Sequence, residues 1–159
     1  MSYDSVNPIW RTTRNRFHKM VQGLKEEELL LQLSSDTSSI GNKLRHNAEV
    51  EYMFAEWFFG HKKPEDVTYF TVGPARDTKQ FSNLAELLEL LENSDKHLSQ
   101  AMRILPEDAW DISVESPIGP STPREAIGRL IYHNGLHAGQ ISLICKLAPQ
   151  FSINIQSYK

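Results

Sequence analysis

Apolar residues recur at helical spacing over four long stretches of this 159-residue chain, separated by segments marked with proline and glycine. Trp10, Phe17, Met20, Val21 and Leu24 predict a first helix over residues 8–24. Pro8 suits its first turn and Gly23 its end. Residues 25–33 predict a short helical turn. Ile40, Leu44, Ala48, Val50, Met53, Phe54, Trp57 and Phe58 form a second, wider stripe. Ser38 or Ser39 caps its start and Gly60 stops it after Phe59. A third stripe (Leu84, Leu87, Leu88, Leu91, Leu98, Ala101, Met102, Leu105) predicts a helix over residues 83–105, with Glu86, Glu89, Glu92 and Asp95 on its outer side. The fourth helix opens on Thr122-Pro123-Arg124-Glu125, a capping box with proline at the first helical position. It is expected to stop at Leu147 or Ala148, ahead of Pro149.

Two connections interrupt this pattern. Residues 61–80 carry Pro64, Gly73 and Pro74, with an extended piece expected over 67–72. A connection this long is functional or carries the chain from one end of a bundle to the other. In residues 106–121, Trp110, Ile112 and Val114 alternate and Pro117, Gly119 and Pro120 mark turns, so a small hairpin is expected. There is no internal repeat. The expectation is an all-α fold, with residues 1–159 forming one domain.

Composition narrows the function classes. Apolar content is 40% and charged content 23%, which fits a globular chain with a proper core. A net charge of −3 argues against a nucleic-acid partner, because phosphate binding needs a clustered basic surface. No apolar run approaches the roughly 18–20 residues that cross a bilayer, and no secretory signal is expected at the N-terminus. The lone Cys145 cannot form an internal disulfide, which fits a reducing cytoplasm. In an apolar helix it reads as inert packing more readily than as a nucleophile.

The candidate chemistry lies in histidines placed on apolar stripes. His133 and His137 stand four residues apart in the series Ala126, Leu130, His133, His137, Ile141, Ile144, Ala148. They therefore lie one above the other on the core face. His46 shares a face with Val50, Met53 and Trp57 of the second helix. Neutral imidazoles buried without partners are unfavourable, and a shared metal ion would satisfy one nitrogen of each. Three histidines would leave a coordination position for water or substrate. The competing reading is that each histidine is a satisfied core residue, and periodicity does not show that His46 meets the other two.

Several other residues have two readings. Gly128, Gly135 and Gly139 lie inside the fourth helix and mark either close helix approach or tolerated solvent-facing positions. Arg11, Arg14, Arg16, His18 and Lys19 either hold an anion or form a solvated face against the acidic third helix. Glu49, Glu51 and Glu56 supply a base or a partner to His46, or simply an exposed face. Trp57, Phe58 and Phe59 read as core or dimer interface, and His18, His61 and His97 as exposed.

The run His133-x-x-x-His137-x-Gly139-Gln140 on a last helix, with Leu44-Arg45-His46 early in a second, resembles the DinB-like (DinB/YfiT-like) metal-binding superfamily. The resemblance covers nearly the whole chain. It implies a four-helix bundle with a long crossover between helices 2 and 3. It also implies His46, His133 and His137 as ligands of zinc, nickel or iron, and a homodimer. Some relatives are transferases or isomerases that use low-molecular-weight thiols. The leading expectation is therefore a metal-dependent, thiol-dependent S-transferase acting on a small molecule. The alternatives are a metal-dependent hydrolase of a small substrate and a non-enzymatic, stress-associated metal-binding protein.

Overall fold

The computed structural model describes residues 1–72 and 79–156, with side chains as far as residue 149. Four helices carry the fold: α1 (Ser2–Gln22), α2 (Ile40–Phe59), α3 (Leu84–Ile104) and α4 (Pro123–Gln156). Short 3-10 turns at Glu26–Leu30 and Glu107–Ala109 lie in the connections. The turn signal at Gly73-Pro74 falls outside the described residues.

Local chemistry sets most of the helix ends. Ser39 Oγ accepts the Asn42 N–H at the start of α2, and Gly60 closes it at φ 65°, a left-handed conformation that glycine adopts without strain. Asn83 caps α3 through the Glu86 N–H. Thr122 Oγ1 accepts the Glu125 N–H while Glu125 Oε2 accepts the Thr122 N–H, the reciprocal pair expected of a capping box.

Both helices that contain proline are longer than expected. α1 begins at Ser2, and Pro8 lies inside it. Proline removes one ladder hydrogen bond. Here the first turns are held from outside, because the Ser2 N–H and hydroxyl both donate to the Glu107 carboxylate, at 2.9 and 2.7 Å. α4 likewise continues through Pro149 to Gln156. The expected extended piece over 67–72 forms no strand: the Phe70 and Thr71 N–H groups donate to the Glu49 carboxylate instead. The expected hairpin shrinks to one antiparallel bridge between Val114 and Ser121. Pro117 and Pro120 lie between them and have no N–H to extend a ladder.

Cross-helix contacts give the helix directions. Gly41 approaches Phe81, Glu51 bonds Ser94, and His61 stacks on His97, so α2 and α3 run parallel. Tyr3 meets Arg103, Arg11 meets Asp95 and Arg14 meets Leu91, so α1 runs opposite to α3. A 20-residue helix is about 30 Å long. The connection between α2 and α3 must therefore run the length of the bundle, which is the expected crossover.

Two apolar clusters fill the interior. One holds Trp10, Phe54, Phe58, Trp110, Ile127 and Leu130, and the other Phe17, Leu44, Leu91, Ile141 and Ile144. On α1 and α3, Arg14 and Ser94 lie between the two in sequence, on α4 His133 and His137 do so, and Glu51 of α2 meets both Arg14 and Ser94. Arg14 Nε donates to Glu51 Oε1 at 2.6 Å, Ser94 Oγ donates to Glu51 Oε2 at 2.5 Å, and Arg14 also bonds the Leu91 carbonyl. Burial alone would lower the Arg14 pKa, but the Glu51 carboxylate and, further off, Asp95 together raise it.

This arrangement revises two readings. Glu49 and Glu51 are fully buried rather than exposed, each beside an arginine. The cations of α1 divide: Arg16 and Lys19 are exposed and Arg11 pairs with Asp95 of α3, as a solvated face against the acidic helix requires, whereas Arg14 is buried against Glu51. The glycines of α4 do not mark close approach within the chain, since a Cβ at Gly128, Gly135 or Gly139 would meet nothing within 4 Å. The close approach is at Gly41, where a Cβ would stand 1.9 Å from the Phe81 carbonyl oxygen.

Candidate metal centre

α2 and α4 bring together the three histidines singled out from the sequence. His133 Nε2 lies 3.1 Å from His46 Nε2 and 3.1 Å from His137 Nε2. All three rings are half-buried, and their ligating nitrogens lie within 4.8 Å of one another. Helical spacing explains the α4 pair, while the third ring depends on α2 packing across α4.

Neighbouring groups set the protonation of two rings. Thr71 Oγ1 donates to Glu49 Oε2 at 2.6 Å, so towards His46 Nδ1, 3.3 Å away, it can only accept. His46 therefore carries its proton on Nδ1. His137 Nδ1 donates to Gln140 Oε1 at 2.8 Å, with the same result. Both Nε2 atoms then present lone pairs to the common centre. His133 Nδ1 is buried with no hydrogen-bond partner among the described residues. Converging lone pairs repel unless a cation lies between them. Three imidazole nitrogens on one tetrahedral zinc would be about 3.4 Å apart, given Zn–N bonds of about 2.0–2.1 Å. The observed spacing and donor set fit a divalent ion.

Electrostatics favours neutral rings. Burial lowers the pKa of all three, and His133 is pushed down to about 3 by burial and then by His137 and His46. Neutral imidazole is the ligating form. Glu49 anchors the outer layer: Arg45 donates to its Oε1 at 2.7 Å, and the backbone at Phe70 and Thr71 completes its bonding. This carboxylate thus ties the α2–α3 connection to the His46 ring.

A cavity of about 450 Å³ borders His46 and His137. Lys43, Asn42, Thr37, Phe70 and Thr71 are among its walls. Sequence periodicity did not single out Lys43 or Thr71. Lys43 stands three positions before His46, a helical neighbour, whereas nothing in the spacing of Thr71 links it to a helix.

The remaining histidines do not join the centre. His61 and His97 are half-buried rather than exposed, with ring centroids 4.3 Å apart. His97 Nε2 lies 3.3 Å from the His61 carbonyl oxygen. His18 is also half-buried. Cys145 is half-buried, and burial raises its pKa, which suits packing rather than nucleophilic attack.

Residues 9–141 match the sequence profile of the DinB superfamily. No curated protein matches the chain. Among solved structures, a DinB-like protein from Bacillus cereus superposes with a TM-score of 0.73 at 15% identity, covering 92% of each chain. A DinB-like protein from Bacillus subtilis gives 0.63 at 13% identity, covering 86% of this chain and 87% of that one. A mutant form of a mycothiol-dependent maleylpyruvate isomerase gives 0.68 at 17% identity. There the match covers 87% of this chain but only 60% of the isomerase. These likenesses establish the fold. Among the described residues, no helix is long and apolar enough to cross a membrane.

Proposed function

The chain belongs to the DinB superfamily, and we propose that it is a metal-dependent enzyme whose divalent ion is held by His46, His133 and His137. The observation that carries this reading is the convergence of three Nε2 atoms, two of them made lone-pair donors by Thr71 and Gln140. Imidazole ligation suits zinc, nickel and iron alike. An ion so held acidifies a bound thiol, and the thiolate is the nucleophilic form.

The chain's own residues do the rest. Glu49 and Thr71 orient His46, and Gln140 orients His137. The adjoining cavity has the volume of a small-molecule site. The reaction class we assign is transfer of a low-molecular-weight thiol onto a small electrophile. Its support is the cavity that borders His46 and His137, together with the fold shared with an isomerase described as mycothiol-dependent. The reading takes residues 1–159 as one domain acting on small molecules, not nucleic acid, in a reducing cytoplasm. It includes a homodimer, supported by exposed Tyr132, Leu136 and Leu143 on α4.

The test is product formation by metal-loaded protein with and without added thiol. Turnover that requires the thiol supports the transferase. A rate independent of thiol would make the protein a hydrolase, and silence towards every electrophile would make the site structural.

A further inference from the structure

The cavity beside the histidine trio contains a cation that pairs with no group among the described residues. The Lys43 side chain is half-buried among its walls and makes no ion pair or hydrogen bond among the described residues. The other buried or half-buried cations of α1 and α2 are engaged: Arg11 with Asp95, Arg14 with Glu51, and Arg45 with Glu49. Lysine normally extends its ammonium into water, and withdrawing that charge without a partner is unfavourable. Among the described residues the acidic group in the wall is Asp36, exposed on the turn before α2, where solvent screens it.

The rest of the wall is polar. Ser35, Thr37, Ser38, Asn42 and Thr71 supply hydroxyl and amide groups, and Phe70 adds an apolar ring. Such a surface suits a hydrophilic ligand better than an apolar one. Resting on the metal-centred reading above, we infer that Lys43 holds an anionic group, of carboxylate or sulfonate type, on the small molecule whose other end reaches the histidine trio. The cavity then selects thiols or electrophiles that carry a negative charge. Lys43 also lies one helical turn before His46, so the same helix aligns the anchoring charge with the reacting end.

The test is calorimetric titration of zinc-loaded full-length protein with three thiols of similar size: 2-mercaptoethanesulfonate, 2-mercaptoethanol and cysteamine, which are anionic, neutral and cationic. Affinity is expected to fall in that order, with the sulfonate bound about tenfold more tightly than the neutral thiol. Lys43→Met is expected to bring the three affinities within about twofold of one another, and Lys43→Arg to keep the order. Asp36→Asn is expected to leave the order intact and to favour the sulfonate further. Zinc content and helical content are read on every variant. Equal affinities in the unsubstituted protein, or a preference that survives Lys43→Met, overturns the role of Lys43 and leaves the metal reading standing. Protein that takes up no zinc overturns the metal reading and this inference together, whereas zinc-loaded protein that binds none of the three thiols overturns the thiol-transfer reading and this inference but leaves the metal site standing.

Discussion

The Thr71 hydroxyl oxygen lies 3.3 Å from His46 Nδ1 while its own hydrogen is committed to Glu49. His46 is therefore the donor in that contact, and its Nε2 lone pair is directed at His133 and His137. A residue of the α2–α3 connection thus sets the electronic state of a ring on α2. Removing either outer partner should leave the three rings in place but loosen their hold. Thr71→Val and Glu49→Gln are each expected to weaken zinc affinity about 10–100-fold. Competition against a chromogenic chelator measures this, and unchanged affinity in both would show that the outer layer is irrelevant to the centre.

Burial of the Arg14–Glu51 pair has a separate consequence for stability. Glu51→Ala strands the guanidinium among apolar groups, its side chain being only 2% exposed. Loss of one partner from such a pair costs about 3–5 kcal/mol. Urea denaturation should show a loss of that order in metal-free protein, and a loss below about 1 kcal/mol would mean that the charge finds water or another partner.

Gly41 makes a sharper steric prediction. The Cβ of Gly41→Ala would lie 1.9 Å from a backbone oxygen of Phe81, so helix and connection must separate. Overpacking of this kind costs about 1–3 kcal/mol. The melting temperature should fall, whereas an unchanged value would show that the connection yields freely.

The pH dependence follows from the neutral rings. Burial holds His46, His133 and His137 below the usual imidazole value of about 6.5. Below that value the unfolded chain binds more protons than the native one, so stability rises with pH. The contribution is complete above about 6.5 and is lost as the pH falls through the lowered native values, down to about 3 for His133. Metal-free protein should therefore melt at progressively lower temperature on acidification, and His133→Ala should flatten the trend. A melting temperature indifferent to pH in this range would contradict buried neutral imidazoles.

The sequence revealed those parts of the molecule that depend on short-range rules. Periodicity and caps located α2 and α3 to within a residue or two, because Ser39, Gly60 and Asn83 act on their own helix ends. The histidine stripe was legible for the same reason. Pro8 misled, since a contact distant in the chain, Ser2 with Glu107, holds first turns that local propensity would not start, and α4 likewise continues past Pro149. Glu49 and Glu51 read as surface because a helical wheel does not show which arginine will fold over it. Thr71 and Lys43 acquire meaning only when the connection and α2 close around one cavity.

If three imidazoles share one exchangeable ion, elemental analysis of untagged protein, beside His137→Ala prepared identically, should find it. About one zinc, nickel or iron per chain is expected in the parent protein, and loss of that ion with helical content preserved in the variant. No first-row metal in the parent after equilibration, or full occupancy in the variant, would contradict this sharing.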